Sequence, residues 1–493
     1  MKKKLLIISM IIIWSDIAFN QNNINFETYF SDHTLRIDYF HTGDNNSEII
    51  SQDALYKTKH WAGNKKHCIQ PFDLGSYCYK LYDAESEKMI FYKGYDCIFG
   101  EYRTTSPATR GIKKTFHESA LVPFPKKPVI FTISKRNRRN ELSEIYRIEI
   151  DPEDYHIITE TRHQNPEIIN ITKNGDYQKK VDLIIIGEGY TKDQSLKFRK
   201  DLQRFYDFFI SYEPFKSQAE KFNITGILPY SQEPGIDEPR KNRYVYSALD
   251  VTFNFFDSER YILAENNKKL RDIASAVPYD AIMIMVNHSR YGGGGIFNLY
   301  SVFTADNHSA KEVFIHEFGH SFAGLADEYY NSEVAYNEFY PLDVEPLEPN
   351  ITTTINKDNL KWKDRLSPGI EIPTNWQKER FDSLNALNSE LYRKLNAKID
   401  SMKNAGIKAK VIEETFHEQQ KRIDAVRKQI DDFILNHPLK DKIGVFEGAG
   451  YASEGIYRPT INSIMHRFLP GAVFYQVNEA AINHYGYSEK EFM

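Results

Sequence analysis

The run His316-Glu317-Phe318-Gly319-His320-Ser321-Phe322-Ala323-Gly324-Leu325-Ala326-Asp327-Glu328 constrains this chain more than any other feature. It contains H-E-x-x-H. On a helix, positions four apart project from one face. His316 and His320 can then hold one metal ion, and that spacing suits Zn2+. Glu317 would stand beside the metal, placed to take a proton from a metal-activated water. The same five residues also occur on exposed helical turns with no ligand role, so context decides. Val313-Phe314-Ile315 is apolar, as a helix buried beneath a cleft requires. Gly319 and Gly324 each cost a plain surface helix about 1 kcal/mol against alanine. Gly324 suits a left-handed helix end.

A catalytic zinc usually takes three protein ligands and keeps one open position. On a continuing helix Asp327 would lie about 10 Å along the axis from His320. A break at Gly324 lets the chain fold back and brings Asp327 to the metal. Glu328 is the competing candidate, because a one-residue shift in the turn exchanges the two roles. The plain alternative is that both are exposed acids after a helix.

The stretch HEFGHSFAGLADEY resembles the active site of the bacterial IgA-peptidase family, within the metzincin-like zinc metallopeptidases. Metzincins usually show H-E-x-x-H-x-x-G-x-x-H or -D; here the glycine and the acid each come one residue later. Ser463-Ile464-Met465-His466 resembles the methionine turn of that group, which implies that Met465 forms an apolar floor under the metal. Segments 291–296 (YGGGGI) and 444–451 (GVFEGAGY) are also similar to the family. The resemblance covers about residues 24–490 and is densest over 180–330 and 440–487. Some metzincins place a tyrosine two positions after the turn methionine. Arg467 stands there in this chain, as an oxyanion donor or an ordinary ion pair. His466 is either packing or a donor behind the ligands.

The 493 residues suggest two to four domains. Lys2-Lys3-Lys4 precede the apolar run Leu5–Trp14, which reads as a signal peptide over 1–20 with cleavage near Ala18–Asn20. The protein is therefore expected to be exported: secreted, periplasmic or on the cell surface. The apolar run is too short for a stable membrane span. A formal charge of −5 and the lack of a basic face argue against nucleic acid as a partner. Three cysteines, Cys68, Cys78 and Cys97, permit one disulfide in an exported protein, and buried free thiols are an equally good reading.

Residues 21–160 alternate apolar and polar positions in short runs, such as 34–39, 90–92 and 128–133, which predicts an antiparallel, β-sandwich-like amino-terminal domain. Residues 161–493 predict a mixed-sheet catalytic domain. Strands are expected at 181–186, 224–228, 281–286 and 296–303, with helices at 196–209 and 258–273 before the H-E-x-x-H helix. Gly292–Gly295 precede an apolar strand. In a peptidase of this kind Gly293, Gly294 and Gly295 would let a substrate chain approach an edge strand closely; a flexible turn is the plain alternative. Residues 385–437 predict an inserted helical hairpin. Its apolar faces are Leu391, Leu395, Ile399, Met402 and Ile423, Val426, Ile430, Phe433, turning near Ala405-Gly406.

The chain is thus expected to be α+β and to act on a protein or peptide substrate as a secreted zinc-dependent endopeptidase. His316, His320 and Asp327 would hold one Zn2+, and Glu317 would act as general base. The rival readings are a zinc amidohydrolase acting on cell-wall peptides and a non-catalytic surface-binding protein with a peptidase-like fold. An intact Glu317 argues against the second.

Overall fold

The computed structural model describes residues 24–160, 162, 165–259, 261–330 and 340–489. The leader expected at 1–20 lies outside them. Among the described residues, no helix is long and apolar enough to cross a membrane. The chain is α+β, with antiparallel sheets, one mixed sheet and helices.

The amino-terminal part comprises α1 (Phe26–Tyr29), β1 (Phe30–Gly43), β2 (Glu48–Thr58), β3 (Tyr77–Asp83), β4 (Met89–Tyr95), α2 (Ile98–Tyr102), α3 (Ser106–Thr109), β5 (Lys114–Pro125), β6 (Val129–Arg136) and β7 (Leu142–Ile150). They form two antiparallel sheets, ordered β2-β1-β5 and β4-β3-β6-β7. Alternation along β1 sends Leu35, Ile37 and Tyr39 into a core shared with Tyr79 and Leu81 of β3 and Phe131 of β6. Cys68, Cys78 and Cys97 are buried free thiols.

Next come β8 (Glu167–Lys173), β9 (Val181–Glu188), α4 (Ser195–Phe209), β10 (Phe222–Leu228), β11 (Val251–Thr252), β12 (Leu263–Ala264), α5 (Asn267–Ala274), β13 (Ala281–Val286), β14 (Gly293–Ile296), β15 (Tyr300–Thr304) and α6 (Ala310–Ala323). Six strands make one sheet in the order β14-β15-β13-β9-β10-β8. The inner pairs are parallel and both edge strands are antiparallel. The continuous apolar run of β9 is buried on both faces: Leu183 and Ile185 join one core, Ile184 and Ile186 the other.

Two expectations need correction. The helix placed at 258–273 begins only at Asn267, because Leu263–Ala264 pair with β11 and the Asn266 side chain caps α5 by accepting from Lys269 N at 3.0 Å. The strand placed at 296–303 is a hairpin of β14 and β15 that turns at Asn298, where φ is 57°. Gly293–Gly295 are therefore inside the edge strand rather than before it.

The chain closes with α7 (Lys378–Asn404), α8 (Ala409–Leu435), β16 (Phe446–Ala449), β17 (Ala452–Arg458) and α9 (Tyr475–Tyr485). The helical hairpin starts earlier than 385, since Phe381 extends the apolar face of α7 into the core beside Trp376. Val426, Ile430 and Phe433 of α8 are buried in that same core.

Both parts of the chain meet along α5 and along β14. Arg36 pairs with Asp272 at 2.6 Å, and Asn267 donates to Ser119 at 2.9 Å. Asp96 N reaches Phe297 O at 3.0 Å, and the Asn298 amide reaches Gly94 O at 2.8 Å.

Candidate metal centre

Helix α6 carries His316, Glu317 and His320. It is apolar on most sides because it is buried on most sides. Phe314 meets Phe303 of β15 at 5.0 Å and Phe205 of α4 at 5.3 Å between ring centres. Gly324 ends the helix with φ 61°, and its N–H returns to His320 O at 3.0 Å. That left-handed residue turns the chain back, as glycine does without strain.

The turn delivers Asp327 to the histidines. His316 Nε2 and His320 Nε2 lie 3.1 Å apart. Asp327 Oδ1 is 3.2 Å from the first and 3.3 Å from the second. All three residues are largely shielded from solvent, and Asp327 Oδ1 has no hydrogen-bond donor aligned on it. Three electron-pair donors thus converge on one point, an arrangement that suits a small cation. His316 Nδ1 lies 3.0 Å from Ile464 O, and His320 Nδ1 lies 2.5 Å from Leu325 O. A carbonyl only accepts, so each Nδ1 carries a hydrogen and each Nε2 is the atom that could bind a metal. Burial alone would raise the Asp327 carboxyl, but His320 and His316 hold it well below the usual range. Burial likewise opposes charge on His320, yet Asp327 outweighs it and pushes the imidazole up to about 9.

Glu328 points elsewhere. Its carboxylate accepts from Asn350 at 3.0 Å, Asn478 at 2.9 Å and Ser463 at 2.5 Å, and its N–H donates to Met465 O at 2.9 Å. It ties the Asp327 loop to the 463–467 turn. Met465 is fully buried there, and its sulfur would lie 3.1 Å from a Cβ placed on Gly319. His466 is buried in the cleft wall; burial, then Arg458 and Arg467, hold its imidazole well below the ordinary value. Arg467 pairs with Asp431 of α8 at 2.9 Å and so joins the turn to the hairpin.

Glycines 293 and 295 lie against α6. A Cβ on Gly293 would stand 2.5 Å from Glu317 Oε1; one on Gly295 would stand 2.4 Å from Glu317 O. Gly294 faces the opposite side, toward Ile262 O at 3.0 Å. Thr304 N bonds Gly292 O, so alternation pairs Gly294 with β15 and turns the peptide groups of Gly293 and Gly295 outward. Tyr261 covers Gly293 by an isolated bridge, and Gly295 faces the cleft.

Two residues at the site escaped the reading of the sequence. Tyr451 donates its hydroxyl to Asp327 Oδ2. Glu101 of α2 lines the same cleft as His316, Glu317 and His320. Segment 444–451 had marked the first region without marking the residue, and nothing local marks the second. The cleft, of about 1510 Å³, lies between the amino-terminal sheets and α6.

The sequence model for the M64 peptidase amino-terminus matches residues 25–147, and that for IgA peptidase M64 matches residues 169–485. No curated protein matches the chain. The second match spans α6, the loop of Asp327 and the 463–467 turn together. The chain belongs to the IgA peptidase M64 family, and with it to the metallopeptidases.

Proposed function

We propose that the protein is an exported zinc-dependent endopeptidase of metzincin-like architecture, with His316, His320 and Asp327 as ligands and Glu317 as general base. The observation that carries this is the triangle of two Nε2 atoms and one carboxylate oxygen, with sides of 3.1, 3.2 and 3.3 Å. Bonds of about 2.0–2.1 Å in a tetrahedral zinc site set ligand atoms roughly 3.3–3.4 Å apart. The donor set, two neutral imidazoles and one carboxylate, is also that of hydrolytic zinc sites. When bound, zinc supplies Lewis acidity, lowering the pKa of water to about 7 and polarising a carbonyl.

The protein's own groups do the rest. The Nδ1–H bonds to Ile464 O and Leu325 O keep both imidazoles oriented, with their Nε2 atoms turned toward the metal position. Glu317, pressed against the edge strand at Gly293, takes the proton of the attacking water and returns it to the leaving amine. Gly295 offers main-chain groups to an extended peptide, which recognises backbone rather than side chains. Met465 packs beneath the helix as an apolar floor.

The test is Glu317→Ala, assayed for peptide cleavage and for metal content. Hydrolysis is expected to disappear while one zinc per chain remains. Loss of the zinc, or retention of activity, would remove Glu317 from its assigned role.

A further inference from the structure

We propose that Glu101 determines specificity in the cleft, receiving a lysine or arginine side chain of the substrate close to the scissile bond. This rests on the peptidase reading of the site.

Glu101 belongs to the amino-terminal part of the chain yet faces the same cleft as Glu317 and His320. Its Oε2 accepts from the Tyr261 hydroxyl at 3.3 Å. Tyr261 in turn pairs with Gly293, and Ile262 N reaches Gly293 O at 3.5 Å. The open edge of β14 is therefore the part at Gly295, and it stops where Tyr261 takes over. A peptide laid along Gly295 passes Glu317 and then meets Tyr261, with Glu101 at that tyrosine's polar end. Phe256 stacks on Tyr261, with ring centres 5.9 Å apart and planes 29° apart. These rings form an apolar wall for the methylene stem of a basic side chain, with a carboxylate at its end.

Charge bookkeeping favours the same ligand. Five basic groups on the cleft wall already have carboxylate partners: Arg103 and Lys135 with Glu48, Arg136 with Asp73, Arg240 with Asp257, Arg467 with Asp431. Glu101 has no ion-pair partner among the described residues. Burial, then the nearby Asp96, pushes its carboxyl up to about 7. An incoming cation would offset both effects.

The experiment uses the zinc-loaded full chain and peptide pairs that differ by lysine against norleucine at one position, scanned through the sites flanking the cut. The parent protein is expected to prefer the lysine peptide by tenfold or more in kcat/KM, mostly through KM. Glu101→Gln should erase that preference while leaving norleucine cleavage and zinc content unchanged. Equal cleavage of both peptides by the parent, or an equal loss on both in Glu101→Gln, would overturn the assignment. The same pairs are also titrated onto the Glu317→Ala protein by fluorescence anisotropy. If the parent cleaves nothing, the peptidase reading fails. If both peptides bind Glu317→Ala equally, the Glu101 assignment fails on its own.

Discussion

The Tyr451 hydroxyl donates to Asp327 Oδ2 and leaves Oδ1 turned toward the two imidazoles. The same turn holds the Asp327 loop by its backbone: Gly450 N donates to Asp327 O at 3.0 Å and Tyr451 N to Tyr329 O at 3.1 Å. Tyr451 sits at φ 65°, a left-handed backbone that a bulky residue adopts only when its surroundings require it. The β16–β17 turn thus acts as a clamp that aims the carboxylate.

Tyr451→Phe removes one hydrogen bond and keeps the ring. Loss of a partner behind a metal ligand typically weakens metal binding about 10–100-fold. We expect a loss in that range in a zinc competition titration, with the melting temperature of the metal-free protein little changed. An unaltered zinc affinity would mean that the backbone bonds alone position Asp327.

Asp327 and Glu328 are adjacent but have opposite tasks, and a pair of variants separates them. Asp327→Ala removes the oxygen that faces His316 and His320, so zinc should be lost. Glu328→Ala leaves the Asn350, Asn478 and Ser463 donors without their buried acceptor. Each orphaned group costs about 1–3 kcal/mol. A fall in denaturant midpoint with zinc stoichiometry retained is the expected result for Glu328→Ala. Zinc bound normally by Asp327→Ala would reverse the assignment.

What could be read from the sequence divides along physical lines. The closeness of His316 and His320 was legible because helical spacing alone puts one beside the other. The continuous run at 181–186 was legible because a strand buried on both faces needs no polar positions. Asp327 is preferred to Glu328 from the sequence, but spacing alone does not fix the choice, which turns on where one left-handed glycine sends the chain. Glu101 and Tyr451 reach the site from 219 and 124 residues away from His320 and Asp327, through packing that no local pattern encodes. The edge-strand glycines were read from the sequence as room for a substrate chain. Gly293 and Gly295 are also small because α6 presses on them.

That pressure distinguishes two substitutions in one strand. In Gly295→Ala the new methyl would lie 2.4 Å from the Glu317 carbonyl oxygen, a backbone atom that cannot step aside. Overpacking of this kind costs about 1–3 kcal/mol, so a lower melting temperature is expected. In Gly293→Ala the clash is chiefly with Glu317 Oε1, at 2.5 Å, and with Val313 Cγ1, at 2.7 Å. The base would be displaced, and kcat should fall by about 10²-fold or more with zinc still bound. Unchanged kcat in Gly293→Ala would show that Glu317 works from another rotamer.

Metal binding should also release a proton that can be counted. In the metal-free protein, Asp327 pushes the His320 imidazole up to about 9, so His320 is charged at neutral pH. Zinc needs the unprotonated Nε2, so loading must expel that proton. Because the folded value is raised, the His320–Asp327 pairing stabilises the metal-free fold fully below about 6.5, the ordinary histidine value. That contribution fades as pH rises through about 9. Zinc affinity moves the other way, rising about tenfold per pH unit until His320 has lost its proton. Titration calorimetry at pH 7 in buffers of different ionisation enthalpy is expected to give close to one proton released from His320 per zinc. Loading by Asp327→Asn, where the charge that holds the proton is gone, should release markedly less. An equal release from both proteins would place the exchanged proton on another group.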